Sequence, residues 1–212
     1  MKKMKKIILF VILMLIIVFL LIIGKRYIIV KNILDVENEN INALNYTLES
    51  TGVKDEITHV IKKMDGIGFI FEVKNENGEL EYKSIHNEKE SKSYIIDFKN
   101  KKIEIENNNI NSDNMFYASY FHEFVNKSFF DELKYAITWK ISQVELEGEK
   151  VYFIDDISDY ELWFDKDNYQ IVKSNSKLDD LNEMKVHFEK DSVTEKDFEL
   201  PENIEEFEKV IK

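Results

Sequence analysis

The chain offers four histidines, 41 carboxylates and no cysteine. Any catalysis would therefore rest on imidazole, carboxylate or hydroxyl groups, not on a thiolate. His122-Glu123 begins like the helix of a zinc protease, but the second histidine that motif needs falls on Asn126. His59, His86, His122 and His187 share no metal-ligand spacing. Asp165-Lys166-Asp167-Asn168 has the oxygen pattern of a calcium loop, yet it lacks the downstream Gly and the bidentate Glu of an EF-hand. Asp and Asn readily bond their own backbone, so this tetrapeptide predicts a hairpin turn. Glycosidase chemistry needs two carboxylates at a set separation, and nothing singles out one pair among so many. No nucleophile elbow, P-loop or dinucleotide fingerprint occurs, and six glycines leave little room for a phosphate cradle. These observations predict a protein that is not an enzyme and that uses neither metal nor cofactor.

One segment stands out for binding. Between Met115 and Tyr135 lie Phe116, Tyr117, Tyr120, Phe121, Phe124, Phe129 and Phe130. Phe116, Tyr120 and Phe124 are four apart, as are Tyr117 and Phe121, which suits a helix with a broad apolar face. Such rings either fill a core or roof an apolar cavity. With Trp139 and Trp163 nearby, these nine residues are the candidate ligand-binding set, because lipid-like ligands need aromatic-lined concavities with few polar groups.

The charge is unevenly spread. Six of the 29 basic residues and none of the 41 acids lie in positions 1–26, so the remainder carries a net charge of −18. A domain this acidic repels phosphate backbones, which excludes nucleic acid as an expected partner. Ile7 to Ile23 is an unbroken apolar run of 17 residues. At 1.5 Å per residue it reaches roughly 25 Å, nearly a hydrocarbon core, and lysines at both ends can snorkel to close the gap. A cleaved signal peptide would have a shorter apolar region and small residues before the cut, whereas this run ends Leu21-Ile22-Ile23-Gly24-Lys25-Arg26. The run therefore reads as an uncleaved, single-pass cell-membrane anchor. Lys2, Lys3, Lys5 and Lys6 precede it, which favours a cytoplasmic N-terminus and an extracytoplasmic C-terminal domain.

The elements that would position a site follow from periodicity. Three segments are expected: a tail and anchor over 1–26, a juxtamembrane linker over 27–40, and the domain over 41–212. Leu44, Tyr46 and Leu48 alternate as a strand. Val53, Ile57, Val60, Ile61 and Met64 fall at helical spacing and predict a short helix. Alternation returns around Phe69–Val73, Leu80–Tyr82, Tyr94–Phe98 and Ile103–Ile105, giving two hairpins with Asn-rich turns. Further strands are expected at Ile137–Ile141, Val151–Ile154, Tyr160–Phe164, Tyr169–Lys173 and Met184–Phe188, with a change of phase at Val144 and Leu146 that suggests a bulge. Phe198–Pro201 is expected to close the sheet and Glu202–Ile211 to form a last helix. Strands joined by short polar turns predict an antiparallel meander with one or two covering helices, an α+β domain.

The stretch Tyr160-Glu-Leu-Trp-Phe-Asp-Lys-Asp-Asn-Tyr-Gln-Ile-Val-Lys173, followed by Met184–Phe188 and Phe198-Glu-Leu-Pro201, resembles the hairpin patterns of the bacterial lipoprotein-carrier (LolA-like, LppX-like) superfamily. The hairpin Tyr94-Ile-Ile-Asp-Phe-Lys-Asn-Lys-Lys102 is similar too, so the resemblance runs over roughly 41–201. It implies a strongly curved half-barrel whose concave apolar face holds acyl chains or a hydrophobic partner. Two departures stand out. The anchor prevents free shuttling, and the domain beyond the anchor has no arginine. The reading that results is a membrane-anchored extracytoplasmic protein that holds a lipid-like ligand, or a hydrophobic segment of a membrane or envelope protein. The alternative is an interaction or regulatory domain with a filled core.

Overall fold

The computed structural model describes residues 2–54, 56–107, 127–157, 160–177 and 183–211. It begins with one 40-residue helix, α1 (Lys2–Ile41). The apolar side chains from Ile7 to Ile22 are exposed along it, and this helix is long and apolar enough to cross a membrane. Its C-terminal third is different. Ile29, Val30, Ile33 and Leu34 are buried against the sheet. Residues 27–40, read from the sequence as a linker, are thus continuous helix and part of the packed core. No proline or glycine interrupts residues 27–40, so one helix runs from the apolar segment into the packed core.

Among the described residues twelve strands follow: β1 (Asn45–Gly52), β2 (Thr58–Met64), β3 (Gly68–Lys74), β4 (Leu80–Asn87), β5 (Lys92–Asp97), β6 (Lys102–Asn107), β7 (Lys140–Leu146), β8 (Glu149–Ile157), β9 (Tyr160–Asp165), β10 (Ile171–Ser176), β11 (Glu183–Lys190) and β12 (Glu208–Ile211). A second helix, α2 (Phe129–Thr138), lies before β7. All strands form one curved, unclosed sheet in the order β12-β6-β5-β4-β3-β2-β1-β11-β10-β9-β8-β7. β1–β6 and β7–β11 are each antiparallel meanders, β1 against β11 joins them, and β12 adds in parallel at the β6 edge. The fold class is therefore α+β, as the alternation predicts.

Several elements differ from the sequence reading. The helix expected over Val53–Met64 is strand β2. Val60 is fully buried while Ile61 is half-buried. They pair with adjacent residues of β3, so they point to opposite faces. A central strand with apolar residues on both faces mimics helical spacing. The helix expected over Glu202–Ile211 is a single 3-10 turn at Ile204–Glu206 followed by β12, which adds to β6 in parallel. So short a helix cannot repay its nucleation, whereas β12 pairs an open edge. Phe198 closes no sheet. It ends a 3-10 turn, Glu195–Phe198, that packs on the sheet. Ile137 and Trp139 belong to α2 and its cap rather than to a strand. The β7–β8 register is regular through Val144 and Leu146, and register shifts occur instead at Val73/Lys74, Asp155/Ile157 and Ile171/Lys173.

The core is split. One cluster joins α1 and α2 (Ile33, Leu34, Ala136) to Ile154, Leu162 and Phe164 of β8 and β9. The other joins Ile70, Ile85, Ile96 and Ile103 of β3–β6 to Val193, Phe198 and Phe207. Register assigns their faces. Leu162 pairs through Ser174, Met184, Gly52 and the β1 alternation to the same face as Tyr46, Leu48, Phe69 and Phe71, whereas Ile70 lies between the last two. The two cores thus sit on opposite faces of the sheet. The second is pinned by charge as well: Lys62 donates to Asp197 at 2.7 Å and lies 3.9 Å from Glu72, while Lys83 lies 3.5 Å from Glu72 and bonds the Asp197 carbonyl at 2.8 Å. Burial alone would raise the Asp197 pKa, but the Lys62 ammonium and the N–H and hydroxyl of Thr194 outweigh it and hold it at about 2.

Candidate functional site: an aromatic sheet face

Alternation places Tyr46 and Leu48 of β1, His59 and Ile61 of β2, Phe69, Phe71 and Val73 of β3, Tyr82, Ser84 and His86 of β4, and Val186 and Phe188 of β11 on one face. Their rings run as a belt across the middle of the sheet. Tyr46 stacks on Phe188 at 5.3 Å, His59 on Phe71 at 5.8 Å, and Phe69 on His86 at 4.1 Å, while Phe71 meets Tyr82 edge-on at 6.4 Å. The belt adjoins the α1–α2 core on the same face. Toward β5 and β6 it ends in Asp97, Glu104 and Glu106, whose register partners share this face. Burial first, and then Glu104, Glu106 and Asp97, raise the Tyr82 phenol.

His86 is the most chemically suggestive group of the belt. Its Nε2 lies 3.0 Å from the Ser84 hydroxyl and its Nδ1 lies 2.7 Å from the Ser93 hydroxyl. Burial lowers its pKa, against a smaller opposing pull from Glu106. A neutral imidazole needs one donor and one acceptor, and two serine hydroxyls supply both. Both ring nitrogens are therefore engaged within the sheet, so neither is left to accept a proton from a substrate. His86 is half-buried, with both ring nitrogens hydrogen-bonded.

Of the nine residues singled out from the sequence, four are described, and those four do not line one cavity. Phe116, Tyr117, Tyr120, Phe121 and Phe124 lie outside the described residues. Phe129 and Phe130 open α2 and are exposed. Trp139 is buried beside α1, stacked on Tyr135 at 4.6 Å, and its carbonyl accepts from Arg26. Trp163 lies between inward Leu162 and Phe164, so it faces the other side of the sheet, against Phe153 at 4.9 Å and under Lys173 Nζ at 4.7 Å. The Asp165–Asn168 loop is the hairpin turn that the sequence predicts, with Asp165 Oδ1 accepting from the N–H groups of Asp167 and Asn168 at 2.8 Å each. Among the described residues, no group of three His, Asp or Glu side chains converges as metal ligands would.

Two features escaped the sequence reading. The belt depends on cross-strand register, which periodicity within single strands does not reveal. The second is Glu37, fully buried on the sheet-facing side of α1. Both of its carboxylate oxygens, with Asn40 Oδ1 and Ser174 Oγ, lack a hydrogen-bond partner among the described atoms. Burial pushes its pKa up to about 8. The nearby Ile171 N–H, Asn40 and Lys190 pull it down only in part. A sequence signal existed: Val30, Ile33, Leu34 and Glu37 share one helical stripe, and a carboxylate there is out of place.

Grooves open on the described surface. One, of about 320 Å³, has Val53, Leu146, Val151 and Val172 beneath a rim of Glu147, Glu149, Asp165, Glu183, Lys173 and Lys185. Another, of about 440 Å³, is bordered by Ile67, Tyr94, Phe198 and Leu200 with Lys89, Glu90 and Glu195.

No protein-family model matches the chain, and neither does any curated protein. Among solved structures, it is similar to an uncharacterized conserved protein from Thermus thermophilus. That match has 12% identity and a TM-score of 0.46, and it covers 86% of this chain and 98% of that one.

Proposed function

We propose that this chain is a single-pass membrane protein whose extracytoplasmic domain is a non-catalytic, LolA-like binding module. It holds a lipid-like or other apolar ligand, or a hydrophobic segment of a membrane or envelope partner, against the aromatic belt. The observation that carries this reading is the run of Phe188, Tyr46, His59, Phe71 and Tyr82 across five adjacent strands, with Phe188 and Tyr46 buried and His59, Phe71 and Tyr82 half-buried, beside the helical core on the same face. Rings give large contact area with few rotamers to freeze, which suits recognition of acyl or apolar groups. The acids at the belt's β5–β6 end disfavour an anionic head group there, so a neutral or cationic ligand fits better.

The test is mass spectrometry of lipids extracted from the fragment beginning at Lys25, which keeps every core residue of α1. It is paired with uptake of an apolar fluorophore. Co-purifying lipid, or uptake that falls when Phe71 is replaced by serine, supports the reading. No lipid and no uptake would remove it. The charged rims of both grooves support a second reading, an interaction domain with filled cores that meets its partners through polar surfaces. Crosslinking that maps partners to those rims and spares the belt would favour it.

A further inference from the structure

Helix α2 leaves an apolar face toward solvent. Phe129 is 58%, Phe130 77% and Ile137 54% exposed, and Phe130 and Ile137 are seven residues apart, on one side of the helix. Soluble domains seldom spend two adjacent phenylalanines this way. The position of α2 explains it. Both of its ends are tied to neighbouring residues of α1. The Arg26 guanidinium donates to the Trp139 carbonyl at the C-terminal end. The Tyr27 hydroxyl donates to Glu132 at 2.7 Å, and the Tyr27 ring meets Phe129 at 5.7 Å, at the N-terminal end. Contacts from two adjacent residues of α1 to both ends of α2 hold α2 beside the level of Arg26 and Tyr27.

That level is the foot of the span. Tyr27 is four residues beyond Ile23, about 6 Å along the helix axis. The head-group zone on each side of a bilayer is about 5–7 Å deep. A helix held at this height lies within the membrane–water interface, where aromatic rings are favoured. Lys25, Lys127 and Lys134 lie around it, as suits the phosphate level, although the domain as a whole is acidic.

We infer that α2 is an interfacial helix whose Phe129, Phe130 and Ile137 insert into the leaflet from which α1 emerges, giving the domain a second membrane contact and a fixed tilt. This rests on the reading of α1 as a membrane anchor. The partner is the lipid interface, which continues from the span itself.

The lack of cysteine makes a clean experiment possible. Single substitutions Ile16→Cys, Phe130→Cys, Ile137→Cys and Lys166→Cys in the full chain would carry a nitroxide in phosphatidylcholine vesicles. Collisional access to oxygen and to a water-soluble nickel complex is then measured at each. The oxygen-to-nickel ratio is expected to be highest at position 16, several-fold above position 166 at positions 130 and 137, and lowest at 166. A lipid-like ratio at 16 with water-like ratios at 130 and 137 overturns the interfacial helix and leaves the anchor standing. A water-like ratio at 16 overturns the anchor, and the inference with it.

Discussion

Replacing Glu37 by glutamine isolates the energetic consequence of a carboxyl group sealed between α1 and the sheet. The substitution keeps the shape and removes the charge. Glu37 has an ordinary pKa of 4.5 and a folded value of about 8, raised by burial. A raised folded value means that its contribution is fully present below the unfolded pKa and is lost as pH rises through the folded one. At pH 7 the unfolded chain carries the carboxylate and the folded chain the acid. Holding that proton across 7 − 4.5 = 2.5 units costs about 3 kcal/mol of folding stability. Above the folded pKa the whole difference is exacted, roughly 5 kcal/mol. Glu37→Gln should therefore match the wild type near pH 4.5 and exceed it by about 3 kcal/mol at pH 7. The assay is urea denaturation of the fragment from Lys25, wild type against variant, at half-unit steps from pH 4.5 to 9. His86 adds a slope of opposite sign below pH 6.5, but it is common to both proteins and cancels in the difference. Parallel wild-type and variant curves would refute the argument, because they would show that Glu37 ionises alike in both states.

Three further outcomes follow from particular contacts. Gly68 has φ +140°, and an added Cβ would lie 1.8 Å from the His86 carbonyl oxygen, so Gly68→Ala should destabilise by about 3 kcal/mol or more, read from the denaturation midpoint. Phe164, fully buried between the sheet and α1, should cost about 3–5 kcal/mol on truncation to alanine, seen as a lowered Tm. In an NMR titration, His86 should protonate below 6.5, so its stabilising effect is present above that pH and fades as pH falls. A value at or above 6.5 would contradict its burial between Ser84 and Ser93.

Much of the fold is legible in the chain because its signals are local. Asn75–Gly78 and Asp165–Asn168 turn the chain by bonding their own backbone, so the β3–β4 and β9–β10 hairpins can be read without knowing any neighbour. The errors fall where neighbours decide. Val53–Met64 reads as a helix because its apolar residues serve two faces, and only the split core explains why a strand would need both. Glu202–Ile211 reads as a helix until β6 offers an unpaired edge. Aromatic richness was visible in the sequence, but of the residues it pointed to, the described ones are divided: Phe129 and Phe130 lie beside the foot of α1, Trp139 in the α1–α2 core and Trp163 on the far face of the sheet.

By itself the sequence determined what depends on neighbours a few residues apart: an uninterrupted apolar run, a strongly acidic remainder, a series of strands with their turns, and the lack of any thiol. Tertiary structure alone decided which residues meet. Cross-strand register aligned Tyr46, Phe71 and Phe188 into one belt, and docking of α1 buried Glu37. The tie of Arg26 and Tyr27 to α2 held Phe129 and Phe130 beside α1, just past its apolar run. Periodicity states how often a side chain returns to a face, but only packing states what that face meets.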